Sequence, residues 1–189
     1  MPGPDIEFTS LGLAVLDEIG FPGREPLTDV LGGSGVTLKL RKERGKLSTR
    51  GLLEFQYTTP ILPAKNEWLE GAGSLASKTF HFLEGLAMLE NRVSALLNMR
   101  VGTGITEAPL IIWEPAPLLC KRENLSACLG AACMVDVFSP NHLELLTLCG
   151  KPLQPVPDKS EIEGLTQRFL DSGVGSEGAG TVVVRAAEY

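Results

Sequence analysis

The sequence lacks the features that mark a membrane protein, a secreted disulfide scaffold or a zinc protein. No apolar run approaches the length of a membrane span, and no basic region followed by an apolar core opens the chain, so we expect a soluble, cytoplasmic protein. The four cysteines include no Cys-x-x-Cys pair, which argues against zinc and favours buried, reduced thiols. The two histidines form no Ser/His/Asp arrangement, so hydrolytic mechanisms gain no support.

What is present is the composition of a globular protein. The chain has 189 residues, of which 43% are hydrophobic and 21% charged, enough for one domain with a real core. The net charge of −6 provides no general attraction to nucleic acid or to an anionic membrane surface. We therefore expect a small-molecule ligand rather than either of those partners.

Short apolar runs alternate with segments of helical period. The predicted strands lie within Glu7–Phe21 and at Leu52–Thr58, Thr79–Leu83, Leu110–Trp113, Val135–Phe138 and Thr181–Val184. The predicted helices are Leu86–Arg100, Arg122–Met134, Asn141–Cys149 and Asp158–Leu170. This alternation predicts an α/β fold with a mainly parallel sheet and helices on both faces.

Several polar residues and glycines follow the predicted strands. They are Asp17, Gly32, Gly33, Glu114, Asn141 and Glu144. Ligands of parallel sheets bind at the carboxyl ends of the strands, so we expect these residues to share one rim. Asp17 could hydrogen-bond a sugar hydroxyl or be a solvent-facing loop acid, and the Gly32-Gly33-Ser34-Gly35 turn could approach a ligand or simply connect two elements.

Asn141 and Glu144 are the most informative pair. They stand three residues apart where a helix begins after a Pro-marked turn. An amide and a carboxylate there could hold a hydrated divalent cation beside a phosphate. The same spacing also describes a capping box, with Asn141 as N-cap and Glu144 at the third helical position. Both interpretations stay open at this point.

Other conspicuous residues favour structural roles. Gly173–Gly178 matches G-x-G-x-x-G, but it follows a helix and precedes a strand, the reverse of a dinucleotide site. His81 lies between two phenylalanines in a probable strand, and His142 is expected at the surface. The basic run from Lys39 to Lys46 lacks interleaved aromatic residues and is interpreted as a solvated loop.

Taken together, these segments resemble the PfkB (ribokinase-like) carbohydrate kinase family, and most of all a fungal branch that includes the yeast maintenance-of-killer protein. The similar segments are Ser10–Asp17, Gly32-Gly33, Thr49–Gly51, Phe55–Thr58, Phe80–Phe82, Ile112–Pro115 and Phe138–Glu144. The resemblance implies a ribokinase-like fold and Mg-ATP-dependent phosphoryl transfer to a sugar hydroxyl. It also implies sugar binding by Asp17, Gly32 and Gly33, and phosphate and water-mediated magnesium binding by Asn141 and Glu144.

The chain departs from that family at two places. The sequence jumps from Gly35 towards Thr49, so residues 36–60 are interpreted as a possible remnant of the lid. The family's C-terminal G-A-G-D signature, which supplies the anion hole and the proton-accepting aspartate, is absent. The resemblance therefore implies a single, incomplete ribokinase-like domain over residues 1–189 without turnover. The alternatives are a non-catalytic sugar- or nucleotide-binding module and a non-functional fragment.

Overall fold

The computed structural model divides the chain into two compact units, Met1–Thr9 with Asn66–Tyr189, and Ser10–Lys65. The described residues are 7–11, 14–21, 24–33, 55–57, 66–71, 73–154, 156 and 158–186. Within these ranges no helix combines the length and the apolar character that crossing a membrane requires.

The described residues alternate between strands and helices. The strands are β1 (Phe8–Leu11), β2 (Ala14–Phe21), β3 (Arg24–Gly33), β4 (Phe55–Tyr57), β5 (Thr79–Glu84), β6 (Leu110–Pro115), β7 (Val137–Phe138) and β8 (Thr181–Val182). The α-helices are α1 (Glu67–Gly71), α2 (Leu86–Gly102), α3 (Leu125–Ala132), α4 (His142–Leu148) and α5 (Lys159–Ser172). A 3₁₀ turn at Arg122–Asn124 precedes α3, so the helix predicted from Arg122 is split into two pieces.

The larger unit is built on a five-stranded sheet in the order β1-β5-β6-β7-β8. The pairs β5–β6, β6–β7 and β7–β8 are all parallel. Helices connect the parallel strands, as parallel pairing requires. The predicted α/β class with a mainly parallel sheet is therefore confirmed.

An aromatic cluster forms the centre of this unit. Trp113 and Phe138 pair in register on adjacent strands, with ring centroids 5.0 Å apart. Phe169 of α5 stacks on Phe138 at 4.7 Å, and all three side chains are fully buried. The indole Nε1 of Trp113 donates to the Glu84 carbonyl at 3.0 Å, so its polar atom is satisfied. This cluster joins β6, β7 and α5.

Two buried arginines attach α2 to the sheet. Arg92 forms an ion pair with Glu84 at the end of β5 and lies 5.7 Å from the ring centroid of Phe82. Arg100 donates to backbone carbonyls around the start of β5 and lies 5.6 Å from the ring centroid of Phe80. Each guanidinium thus has an aromatic face and oxygen partners, which offset the cost of its burial.

The smaller unit is an antiparallel sheet in the order β3-β2-β4. Asp17 is expected to follow a strand, but it lies inside β2 and is paired with Val30 and with Tyr57. Gly32 and Gly33 are expected in a turn, but they are the last residues of β3. Both expectations are wrong for the same reason, which is strand pairing: β4 and β3 pair with β2 at and beyond Asp17, and the last four residues of β3 pair continuously with β2 up to Gly33.

Ser34, Gly35 and most of residues 36–60 lie outside the described residues. Only β4 in that stretch is described, a shorter strand than the one predicted at Leu52–Thr58. The interpretation of residues 36–60 as a lid remnant stays a prediction.

We expect Phe169→Ala to lower the free energy of unfolding by about 3–5 kcal/mol, because it removes a fully buried ring from the aromatic cluster. Chemical denaturation of the full chain measures this change. Leu170→Ala, at the neighbouring and exposed position, is the matched control and should cost less than about 1 kcal/mol. Equal losses for both variants would contradict the placement of the core.

Candidate functional site

Charged and polar residues from separate parts of the larger unit lie at the carboxyl ends of the parallel strands. Glu84 is the last residue of β5, and Glu114 is the last but one of β6. Asn141 is the N-cap of α4, which follows β7, and Glu144 lies in the first turn of that helix. Arg185 follows β8 and forms a parallel bridge with Asn141. The expectation that Glu114, Asn141 and Glu144 meet at one edge agrees with this geometry.

Asn141 and Glu144 form a complete capping box. The Glu144 backbone N–H donates to Asn141 Oδ1 at 2.8 Å, and the Asn141 backbone N–H donates to Glu144 Oε2 at 2.7 Å. Each side chain therefore satisfies a backbone donor that the start of a helix leaves unpaired. Of the two interpretations left open by the sequence, capping is the one that the geometry displays directly.

One guanidinium nitrogen lies among the oxygens of this edge. Arg185 Nη2 is 2.8 Å from Glu114 Oε1 and 3.7 Å from Glu144 Oε2, and it donates to the Ser139 carbonyl at 3.3 Å. The Arg185 side chain is 43% exposed, whereas the side chains of Glu114 and Glu144 are 23% and 5% exposed. A half-exposed cation therefore compensates part of the negative charge of two more deeply placed carboxylates.

Backbone hydrogen bonds hold Arg185 in this position. Its N–H donates to the Pro140 carbonyl at 3.0 Å, and its carbonyl accepts from the His142 N–H at 3.2 Å. The sequence analysis did not select Arg185. The signal was available, since Arg185 is the first charged residue after the β-branched run Thr181–Val184, and the same rule selected Glu114 and Asn141.

The two carboxyl groups have opposite pKa shifts. Burial raises the pKa of Glu144, and the charge of Glu114 adds to that effect, against the lowering effects of the Asn141 N–H and of Arg185. Burial also acts to raise the pKa of Glu114, but hydrogen bonds and charges from His81 and Arg185 outweigh it and leave that pKa below its ordinary value. The negative charge of Glu114 is therefore better stabilised by neighbouring groups than that of Glu144.

The histidines differ from each other in their surroundings. His81 Nε2 lies 3.3 Å from Glu114 Oε2, in agreement with the structural role expected for it. His142 is expected at the surface, but it is only 3% exposed, and its ring nitrogens have no hydrogen-bond partner among the described residues. That expectation is wrong because the chain after β8 runs beside the start of α4 and covers it.

A small, mostly apolar crevice opens at the ends of β5 and β6. Trp113, Pro115, Leu119, Cys120 and Cys128 contribute to its wall. Burial raises the pKa of Cys120 and of Cys128 to about 12, so both remain protonated thiols.

The cysteines are all free, as expected, but they are not all buried. Cys120 and Cys128 are buried, Cys149 is partly exposed, and Cys133 is exposed near the end of α3. The expectation of buried thiols is therefore wrong for Cys133, because the face of α3 that packs inward carries Cys128, Ala131 and Ala132 instead.

The segment that matches G-x-G-x-x-G connects α5 to β8, in agreement with its rejection as a dinucleotide site. Gly173, Gly175 and Gly178 all have positive φ angles, between 74° and 89°. A Cβ on Gly175 would lie 2.8 Å from the backbone nitrogen of Gly180. These glycines are therefore required by a tight turn.

In this arrangement Asn141 and Glu144 do not fit direct coordination of a magnesium ion, and the water-mediated contact implied by the resemblance stays a prediction. Asn141 Oδ1 and Glu144 Oε2 accept backbone hydrogen bonds, and the position facing Glu114 and Glu144 is taken by Arg185. Among the residues that the structure describes, no group of three or more His, Cys, Asp or Glu side chains is arranged to hold a metal ion. Asp17, Gly32 and Gly33 belong to the smaller unit and are placed there by the pairing of β2 with β3.

Comparisons with known proteins found a distant relative. No family model matches the chain. An uncharacterized protein of Schizosaccharomyces pombe is 24% identical over 233 residues, a match that covers 97% of this chain and 63% of that protein. The chain thus spans less than two thirds of its relative's length.

Among solved structures, the chain is similar to the pyridoxal kinase from Leishmania donovani, determined in complex with ADP and ginkgotoxin. The identity is 15%, the TM-score is 0.42, and the match covers 68% of this chain and 47% of the kinase. A TM-score of that size is too low to establish a common fold.

We expect Asn141→Ala to lower the free energy of unfolding by about 1 kcal/mol, because it removes the N-cap of α4. Asn141→Ser is the matched control, since serine is also a good N-cap, and it should stay close to the wild type. Urea denaturation of the three proteins makes the comparison. If alanine and serine at this position were equally stable, Asn141 would have no capping role.

We expect Glu114 to contribute a pH-dependent part of the stability. Its pKa in the folded chain lies below the ordinary value of 4.5, so its stabilising effect is present above pH 4.5 and is lost as the pH falls below that value. The difference in unfolding free energy between wild type and Glu114→Gln should therefore shrink as the pH falls below 4.5. A difference that is constant with pH would contradict the ion pair with Arg185.

Proposed function

We propose that this chain is a PfkB (ribokinase-like) carbohydrate kinase-like protein, and that its 189 residues bind a sugar or a nucleotide without transferring phosphate. The observation that supports it is the carboxyl edge of the parallel sheet, where Glu114, the capped start of α4 and Arg185 come together. An apolar crevice also opens at the ends of β5 and β6. Ligands of parallel sheets bind at this edge. The resemblance of the segment around Asn141 and Glu144 to the kinase family is the reason for proposing a sugar or a nucleotide as the ligand.

The proposed roles follow from the resemblance. Asp17, Gly32 and Gly33 would contact sugar hydroxyls, and Asn141 and Glu144 would face the phosphates of Mg-ATP. A magnesium ion, when bound in such kinases, neutralises phosphate charge. In this chain the capping box keeps the amide and carboxylate oriented towards backbone donors, so any contact of theirs with a hydrated ion would run through water.

The residues that follow the two Gly-Ala-Gly stretches of this sequence are the basis for proposing binding without turnover. Gly-Ala-Gly occurs at residues 71–73 and 178–180, but Ser74 and Thr181 follow where the family signature has aspartate. The second occurrence leads into β8 rather than opening a helix. A hydroxyl at that position is a poor base at neutral pH, so nothing there would accept the proton of an attacking sugar hydroxyl.

The length of the match to the fungal relative supports the proposal that this chain lacks segments that the relative has. The matched stretch has 233 positions, whereas this chain has 189 residues, so at least 44 positions have no residue here. The jump expected after Gly35 stays a prediction.

Calorimetry with ATP, ADP and a panel of sugars and nucleosides tests the proposal, together with a coupled assay for ADP release. We expect binding of at least one ligand and no product. Asp17→Ala should weaken sugar binding, and Glu18→Ala, one residue along β2, is the matched control. Turnover that Asn141→Ala or Glu144→Ala abolishes would contradict the lack of activity, and no binding at all would contradict the proposal as a whole.

A further inference from the structure

The surroundings of Arg185 Nη2 resemble those of a metal ion. Carboxylate oxygens of Glu114 and Glu144 and the carbonyl oxygen of Ser139 lie 2.8, 3.7 and 3.3 Å from this one nitrogen. Carboxylate and backbone carbonyl oxygens are the ligands that Mg²⁺ and Ca²⁺ select in proteins. A cationic nitrogen therefore stands where such oxygens converge.

The two carboxylates need a cation at this position. Their side chains are 23% and 5% exposed, so water screens their charges only in part. The negative charge of Glu114 also raises the pKa of Glu144. Without a positive charge between them, two partly buried negative charges would face each other.

We infer that Arg185 is an internal counter-cation that occupies the place of a divalent metal ion at the carboxyl edge of the sheet. In this chain Glu114 and Glu144 therefore do not coordinate Mg²⁺ or Mn²⁺ while Arg185 lies between them. The inference concerns the same Glu144 for which a water-mediated magnesium contact is proposed above. Its test, however, needs no nucleotide, sugar or turnover.

The backbone keeps the guanidinium at this position. The bonds from Arg185 N–H to the Pro140 carbonyl and from His142 N–H to the Arg185 carbonyl fix its Cα beside the start of α4. A cation built into the chain in this way has a very high local concentration, so a dissolved ion competes poorly with it.

Mn²⁺ binding, measured by the loss of the free Mn²⁺ signal in electron paramagnetic resonance, tests the inference. We expect Arg185→Gln to bind Mn²⁺ tighter than the wild type by roughly tenfold or more, because it leaves two carboxylates and a carbonyl without their cation. Adding Glu114→Gln or Glu144→Gln to that variant should remove the gain. Lys159→Gln, which removes one positive charge from an exposed pair with Glu163 on α5, is the matched control and should behave as the wild type does.

Two outcomes would overturn the inference. The first is a folded Arg185→Gln chain, verified by circular dichroism, that gains no Mn²⁺ affinity. The second is Mn²⁺ binding by the wild type that Glu144→Gln abolishes, since the site would then be open with Arg185 present. Arg185→Met, which keeps much of the apolar stem, is measured in parallel with the same expectation, so the result does not depend on the folding of one variant.

Discussion

The larger unit depends on matching buried carboxylates with arginines at the carboxyl edge of its sheet. Glu84, at the end of β5, is matched by Arg92 of α2, and Glu144, at the start of α4, is matched by Arg185 after β8. Removing Arg92 would leave the buried Glu84 carboxylate without its partner, which costs far more than the pair contributes, because the remaining charge stays in a poor solvent. Arg185 is half-exposed, so water weakens its interaction with Glu144. The two pairs therefore fix where α2, α4 and the segment after β8 lie against the strands.

The same matching limits what the edge can do. The start of α4 already holds the Glu144 carboxylate in its capping box, and the crevice at the ends of β5 and β6 is small and mostly apolar. The charge that a metal-dependent kinase would obtain from magnesium is here already supplied by the chain. The role that we propose is therefore ligand binding at this edge rather than phosphoryl transfer.

Local patterns predicted the elements of the larger unit well. The period of Leu86, Leu89, Val93 and Leu96 predicted α2, and the alternation of strands with helices predicted a parallel sheet. The N-x-x-E spacing offered the capping box as one of two interpretations, and the structure shows it, with both hydrogen bonds formed between residues three apart. The errors arose where a partner is distant in sequence. Asp17 was misplaced because pairing with β3 and β4 extends β2, and Arg185 was missed because its acidic partners lie more than 40 residues away.

The most direct test of the central claim is X-ray diffraction at the manganese absorption edge from crystals of the wild-type chain grown with MnCl₂. The account predicts that Arg185 lies between Glu114 and Glu144 with no anomalous peak within coordination distance of either carboxylate. A manganese peak bound to Glu114 and Glu144, with the Arg185 side chain displaced into solvent, would contradict it.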